Sequence, residues 1–151
     1  MAALQVSVNI PSTSLASNTA TVVGFLAAPP NQRVKVLGYG FFFDGTSNSN
    51  APVAITLCTP TTGTYTSNTN GQLNEPELTE TIQSTYGVAA TGQPTISASN
   101  TYKTITVHPQ LGYEYLAPLG QEHIVKGGTT WCASVNAPNS VDIRGYFLFE
   151  E

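Results

Sequence analysis

The segment Arg33–Pro60 constrains the fold most, because it holds the densest run of aromatic and β-branched residues in the chain. In its first half, Arg33–Phe43, strict alternation would place Tyr39 and Phe41 on one face and Val34 and Val36 on the other. Asp44-Gly45 has the composition of a turn, and Pro52–Cys58 is typical of a second strand, with Val53, Ile55 and Leu57 on one face. The pattern predicts two strands of a β-sheet core and contains no catalytic motif.

Comparable segments recur along the chain, and turn-forming Pro, Gly, Asn or Ser residues separate them. They are Leu4–Ile10, Thr19–Leu26, Thr79–Val88, Tyr102–His108, Tyr113–Leu116, Thr130–Val135 and Val141–Phe149. No segment keeps a helical period over three turns. About eight or nine short strands of this kind are typical of a sandwich or barrel. We therefore predict an all-β fold, a jelly-roll-like antiparallel β-sandwich.

Three glycines interrupt otherwise strong strands: Gly38, Gly40 and Gly145. Glycine inside a strand marks a bulge, a bend or a close approach of two backbones. We expect Arg33–Phe43 and Val141–Phe149 to be strongly curved and to be neighbours in a sheet.

The charge composition limits the partners that the protein could have. Only 9% of the 151 residues are charged, the net charge is −4, and the five Lys and Arg residues are scattered. This distribution disfavours binding to nucleic acid through a basic patch. No apolar stretch approaches the roughly 18 residues of a membrane span, and the N-terminus has no features of a secretory signal, so we expect synthesis in a cytoplasm. A surface rich in neutral polar groups is easy to bury against a partner, which favours a role in an assembly.

The N-terminal residues allow two interpretations. Leu4–Ile10 alternates strictly, as in a half-buried strand or in an arm that pairs with a neighbouring molecule. We divide the chain into an N-terminal strand or arm, residues 1–18, and a single β-sandwich domain, residues 19–151. The predicted partner contacts are Leu4, Val6 and Val8 in the arm, Asn48 and Asn50 in a polar turn, and Tyr65 in the long loop Thr59–Asn74.

The chain holds no arrangement that strongly predicts catalysis or a cofactor. His108 and His123 with Glu114 or Glu122 could form a zinc site, but we expect ordinary surface or turn residues. Glu75, Glu77 and Glu80 lie in one loop and lack the separation that glycoside hydrolysis requires. Asp44–Asn50 resembles a calcium loop without its closing glutamate. We therefore expect no enzyme, no cofactor and no metal.

Two cysteines, Cys58 and Cys132, are too few for a disulfide framework. A cytoplasmic origin favours free thiols, although a bond between the two stays open. Cys58 shares its strand face with Ala54 and Thr56, on a sheet surface or under a loop.

Several turns and strand ends carry a resemblance to a known group. They are Phe43–Thr46, Pro52-Val53, Ala90–Thr95, His108-Pro109, Pro118–Glu122, Gly127-Gly128 and the final strand that ends at Glu150-Glu151. Together they resemble small β-sandwich proteins encoded among the virion genes of tailed bacteriophages. The resemblance covers about Val34–Glu151, and its motifs are turns and strand ends, not active-site residues.

The resemblance implies a structural virion protein, similar to the decoration (cement) proteins of phage heads. It implies a homotrimer that binds the major capsid protein on the outer surface of the capsid. The alternative is a carbohydrate- or receptor-binding β-sandwich module of a phage tail or fibre, for which Tyr65, Tyr86, Tyr113 and Tyr115 are candidate sugar-stacking residues.

Overall fold

In the computed structural model the described residues form eleven β-strands, and none of these residues is helical. The structure describes residues 3–44, 50–60, 71–73 (backbone only), 80–88, 90 and 92–151. The strands are β1 (Gln5–Leu15), β2 (Thr21–Ala27), β3 (Val34–Phe43), β4 (Val53–Cys58), β5 (Gly71–Leu73), β6 (Thr85–Val88), β7 (Thr101–Val107), β8 (Tyr113–Leu116), β9 (His123–Val125), β10 (Thr130–Asn136) and β11 (Val141–Glu150).

The two halves of the chain pair along their length as a long antiparallel ribbon, and this ribbon is folded into two sheets. The strands of the first half pair with those of the second half in reverse order: β4 with β7, β3 with β8, β2 with β10 and β1 with β11. Further pairs, β3–β11 and β4–β10, close two sheets in the orders β1-β11-β3-β8 and β2-β10-β4-β7. This is the strand order of a jelly roll. The predicted all-β sandwich is confirmed, and the described residues hold two strands more than the nine predicted, because the short strands β5 and β9 were not predicted.

The sandwich core lies between the two sheets. Its largest fully buried side chains include Trp131 from β10, Phe41 from β3, and Phe147 and Phe149 from β11. Trp131 packs against Phe147 with ring centroids 5.4 Å apart. The predicted inward face of β4 is confirmed, and alternate residues of β10 and β11 lie in the same core.

The N-terminal strand belongs to this core. β1 pairs with β11 on one side and with β5 on the other, and Val6 and Val8 have no exposed surface. Residues 5–15 form a strand of the sandwich within their own chain. The reason is the alternation itself, which gives β1 an apolar face that the second sheet covers.

β-bulges shift the alternation in several strands. In β3, Gly38 pairs with Leu148 and Val36 pairs with Phe149, which leaves Leu37 as the extra residue. Val34, Val36, Tyr39 and Phe41 are therefore all buried in the same core, although strict alternation placed the two valines opposite the two aromatic residues.

The strand glycines lie where backbones approach closely, as predicted. β3 and β11 are neighbours, with Gly145 opposite Phe41 and Tyr146 opposite Gly40. A Cβ atom on Gly145 would lie 2.2 Å from the carbonyl oxygen of Gly40. No side chain fits in this space.

The two cysteines form part of a second, smaller apolar cluster on the outer face of the β2-containing sheet. Cys58 and Cys132 are directly opposite each other on β4 and β10, and their Sγ atoms are 2.9 Å apart. Both are free thiols with no exposed surface, and Ile96 and Ala90 pack against them. The pair therefore lies under a loop, which was one of the predicted placements.

The two edges of each sheet end in different kinds of strand. On one side, β5 and β6 extend the sheets beside β1 and β2, and both come from the β4–β7 connection. On the other side the sheets end at β7 and at β8 and β9 among the described strands. The candidate site lies between these last strands.

Candidate functional site

A cavity of about 400 Å³ opens between β7 of one sheet and β3, β8 and β9 of the other. Its wall contains three aromatic rings, a lysine and a histidine: Tyr39, Tyr102, Tyr115, Lys103 and His123. Val36, Gln121, Glu122 and Ile124 complete it. Small-molecule sites have this composition, with apolar and aromatic walls and a few convergent polar groups, and volumes from roughly 300 Å³ upward.

A β-bulge in β7 brings Tyr102 to this cavity. Lys103 pairs with Leu57 and Thr101 pairs with Cys58, so Tyr102 is the extra residue between them. A bulge turns a side chain away from the direction that alternation gives it. The Tyr102 hydroxyl accepts a hydrogen bond of 2.6 Å from the indole N–H of the buried Trp131. This bond ties the wall of the cavity to the core, and burial raises the pKa of Tyr102.

Lys103 points inward from β7 and is surrounded by tyrosines. Its Nζ atom lies 4.2 Å from the centroid of the Tyr115 ring and donates long hydrogen bonds to the hydroxyls of Tyr39 (3.3 Å) and Tyr113 (3.4 Å). Burial raises the pKa of Tyr39 to about 12, so that its hydroxyl is neutral at physiological pH. Burial lowers the pKa of Lys103, but the hydrogen bonds to Tyr39 and Tyr113 outweigh this effect and leave that pKa above its ordinary value.

His123, the first residue of β9, stacks on Tyr102 with ring centroids 3.9 Å apart and an angle of 4° between the ring planes. Its Nε2 atom is buried and has no hydrogen-bond partner among the described residues. Burial lowers the pKa of His123, which favours the neutral imidazole. A buried imidazole nitrogen without a hydrogen-bond partner is costly, and His123 is one of the residues that line the cavity.

Exposed apolar side chains lie outside the same sheet edge. Leu116 is 68% exposed, Leu119 is 98% exposed and Ile124 is 54% exposed. Leu116 pairs with Gly38 and Ile124 pairs with Lys35, so both lie beside β3, and Leu119 is in the connection between β8 and β9. We call these three residues the β8–β9 apolar edge. A cluster of this kind on a folded chain indicates a contact surface.

The contact residues predicted from the sequence are not brought together. Val6 and Val8 are buried in the core and are not available to a partner, because the second sheet covers their face. Leu4 is half-buried, and its backbone exchanges two hydrogen bonds of 3.0 Å with Glu151. Asn50 is exposed, while Asn48 and Tyr65 lie outside the described residues.

The other candidate residues have structural partners. Among the described residues, no group of three or more His, Cys, Asp or Glu side chains could hold a metal ion. The Asp44 carboxylate accepts a hydrogen bond of 3.0 Å from Nε–H of Arg144. Tyr113 and Tyr115 face the interior near Lys103, and Tyr86 packs against Phe149.

Sequence reasoning found Tyr115 as a binding candidate but missed Lys103, Tyr102 and His123 as one site. The available signal was Lys103 itself, a charged residue that alternation places on the same face as Ile105. Its meaning depends on the bulge at Tyr102, which has no glycine to mark it.

Comparison with protein-family models, curated proteins and solved structures finds no match for this chain. Within the described residues there is also no helix with the length and apolar character needed to cross a membrane.

Proposed function

We propose that this protein is a structural component of a virus particle, a decoration protein that binds the major capsid protein on the head of a tailed bacteriophage. It acts there as a homotrimer and strengthens the shell by bridging neighbouring capsid subunits. Closed cyclic oligomers suit the symmetric positions of a capsid, and repeated weak contacts add up across the shell.

The β8–β9 apolar edge is the observation that carries this proposal. Three large apolar side chains, Leu116, Leu119 and Ile124, are exposed at one sheet edge of a chain with only 9% charged residues. Burying such a surface removes apolar area from water and desolvates few charges. The jelly-roll sandwich behind the edge supplies a rigid support.

The aromatic cavity favours a second candidate function, a ligand-binding module of a tail or fibre. Tyr102, Tyr115 and Tyr39 line it together with polar groups, as in sites that recognise small ring-shaped ligands. A tail or fibre module needs only a few copies per particle, whereas a protein that decorates the shell needs many.

The copy number and position of the protein in purified particles test the proposal. Quantitative mass spectrometry should give a copy number per particle close to three times the number of trimer positions on the shell. Labelled protein should appear over the whole head in electron micrographs. A few copies confined to the tail would favour the second candidate, and absence from particles would overturn both.

A further inference from the structure

We propose that the cavity between β7 and β8–β9 is a binding site for a small ring-shaped ligand that carries a carboxylate, with the Lys103 ammonium group holding the carboxylate. This inference does not depend on a role in a capsid.

The first argument is the charge of the site. Among the described residues, ion pairs join Lys35 to Glu150 and Arg144 to Asp44, and no carboxylate lies within ion-pair distance of Lys103. The partners of Lys103 are the hydroxyls of Tyr39 and Tyr113 and the face of the Tyr115 ring. A cation in a partly enclosed site gains far more from an anion than a cation in water does, because the surroundings screen it less.

The second argument is the unpartnered nitrogen of His123. Nε2 is buried and faces no described hydrogen-bond partner, and the same residue lines the cavity. A hydroxyl or a second carboxylate oxygen of a ligand would satisfy it. Lys103 and His123 therefore supply two polar side chains to the lining of one cavity.

The third argument is the shape and rigidity of the wall. The Tyr102 ring is fixed by its hydrogen bond to Trp131 and by its stack with His123, and Tyr39 packs 5.3 Å from Tyr115 between ring centroids. Aromatic walls of this kind suit a ring-shaped ligand, and a wall that is already ordered lowers the entropic cost of binding.

A larger cleft of about 700 Å³ adjoins the cavity and shares His123 and Ile124 with it. Its other lining residues are mainly Ser, Thr and Asn. Lys126 is the one lysine among the described residues that line this cleft. The cleft lacks the aromatic wall and the enclosed cation, so it is not the proposed site.

An inward-pointing lysine also has a purely structural explanation. β7 ends its sheet among the described strands, and a charge that points inward on such an edge strand discourages pairing with other molecules. The two explanations differ in what the Lys103→Met variant does. Loss of an edge-protecting charge leads to self-association, whereas loss of a ligand anchor removes binding.

The experiment uses four probes, two acids and their neutral counterparts: glucuronate with glucose, and benzoate with benzamide. The chain has three lysines, so the ¹³Cε resonances of labelled lysine report on Lys103, with Lys35 and Lys126 as internal controls. We expect at least one acid to shift Lys103 alone, with its neutral counterpart binding at least tenfold more weakly. A shift with glucuronate only assigns a sugar acid, and a shift with benzoate only assigns an aromatic acid.

The matched variants are Lys103→Met and Lys126→Met, which remove one cation from the cavity or from the neighbouring cleft. Calorimetry should show at least a tenfold loss of acid binding for Lys103→Met and unchanged binding for Lys126→Met. Equal binding of acid and neutral probes, no shift of Lys103 with any probe, or full binding by Lys103→Met would overturn the proposal. If Lys103→Met does not fold, the resonance shifts of the unmodified protein decide.

Discussion

Gly145 lies at the closest approach of two central strands, β3 and β11. A methyl group there would lie 2.2 Å from the Gly40 carbonyl oxygen. The two glycines belong to paired strands, which cannot move apart without breaking the sheet. We expect Gly145→Ala to lower the free energy of unfolding by about 3 kcal/mol or more. Urea unfolding measures this change.

Gly120→Ala is the matched control for the glycine prediction. Gly120 has a positive φ of 84° and no heavy atom within 4 Å of the added Cβ, so only backbone strain applies. The expected cost is about 1 kcal/mol. A Gly145→Ala protein as stable as Gly120→Ala would show that the β3–β11 contact is looser than described.

His123 should make stability depend on pH near neutrality. Burial lowers its folded-state pKa below the ordinary value of about 6.5, so the unfolded chain takes up a proton at a higher pH than the folded chain. The free energy of unfolding therefore falls as the pH decreases from about 6.5 to the folded-state pKa. Well above about pH 6.5, His123 contributes no pH dependence.

The His123→Gln variant checks this sign. Urea unfolding at about pH 7.5 and pH 5.5 should show a smaller loss of stability in the variant than in the unmodified protein. His108→Gln, at a turn away from the cavity, should keep the original loss. An unchanged loss in His123→Gln would assign the pH dependence to other groups.

Individual residues show how far the sequence predicts the site. Tyr115 was a candidate because an aromatic ring can stack on a sugar. Strict alternation would place Tyr102 on the face opposite Lys103, but the bulge at Tyr102 turns its ring toward Trp131. A bulge depends on how two distant strands pair, and a single strand sequence does not contain that information.

β1 should be essential for folding. It lies between β11 and β5, and its side chains Val6, Val8 and Ile10 are in the core. Removal of the first ten residues should abolish cooperative unfolding, because it exposes the edge of β11 and opens the core. Removal of the first three residues should leave stability nearly unchanged, since the first backbone pairing of the described residues is that of Leu4 with Glu151. A folded protein after the longer truncation would contradict the position of β1.

At the level of elements, period-two patterns predicted the strands well and their faces only in part. β4 and β11 keep one phase along the buried face, so the prediction for Val53 and Ile55 is correct, and Ile143 and Phe147 follow the same alternation. β3 changes phase at Leu37, where the sheet accommodates an extra residue. Each bulge reverses every later side chain of its strand, so an error of one residue changes the whole face.

At the scale of the whole molecule, the sequence indicated a sandwich but not its order of strands. The pairing of β3 with β11 was predicted from their glycines, and the structure confirms it. The ribbon order depends on contacts between the two halves of the chain, which local patterns do not encode. The β8–β9 apolar edge was also missed, since Leu116, Leu119 and Ile124 come from segments without a marked pattern.

The central claim is that the β8–β9 apolar edge attaches this protein to a capsid. The test is cosedimentation with capsids that lack the protein, using the triple variant Leu116→Ser, Leu119→Ser, Ile124→Ser. Leu111→Ser, 65% exposed in the β7–β8 connection, is the matched control. We expect the unmodified protein and Leu111→Ser to saturate the capsids and the triple variant to bind at least tenfold more weakly with unchanged unfolding. Equal capsid binding by the triple variant, or no binding by the unmodified protein, would contradict the claim.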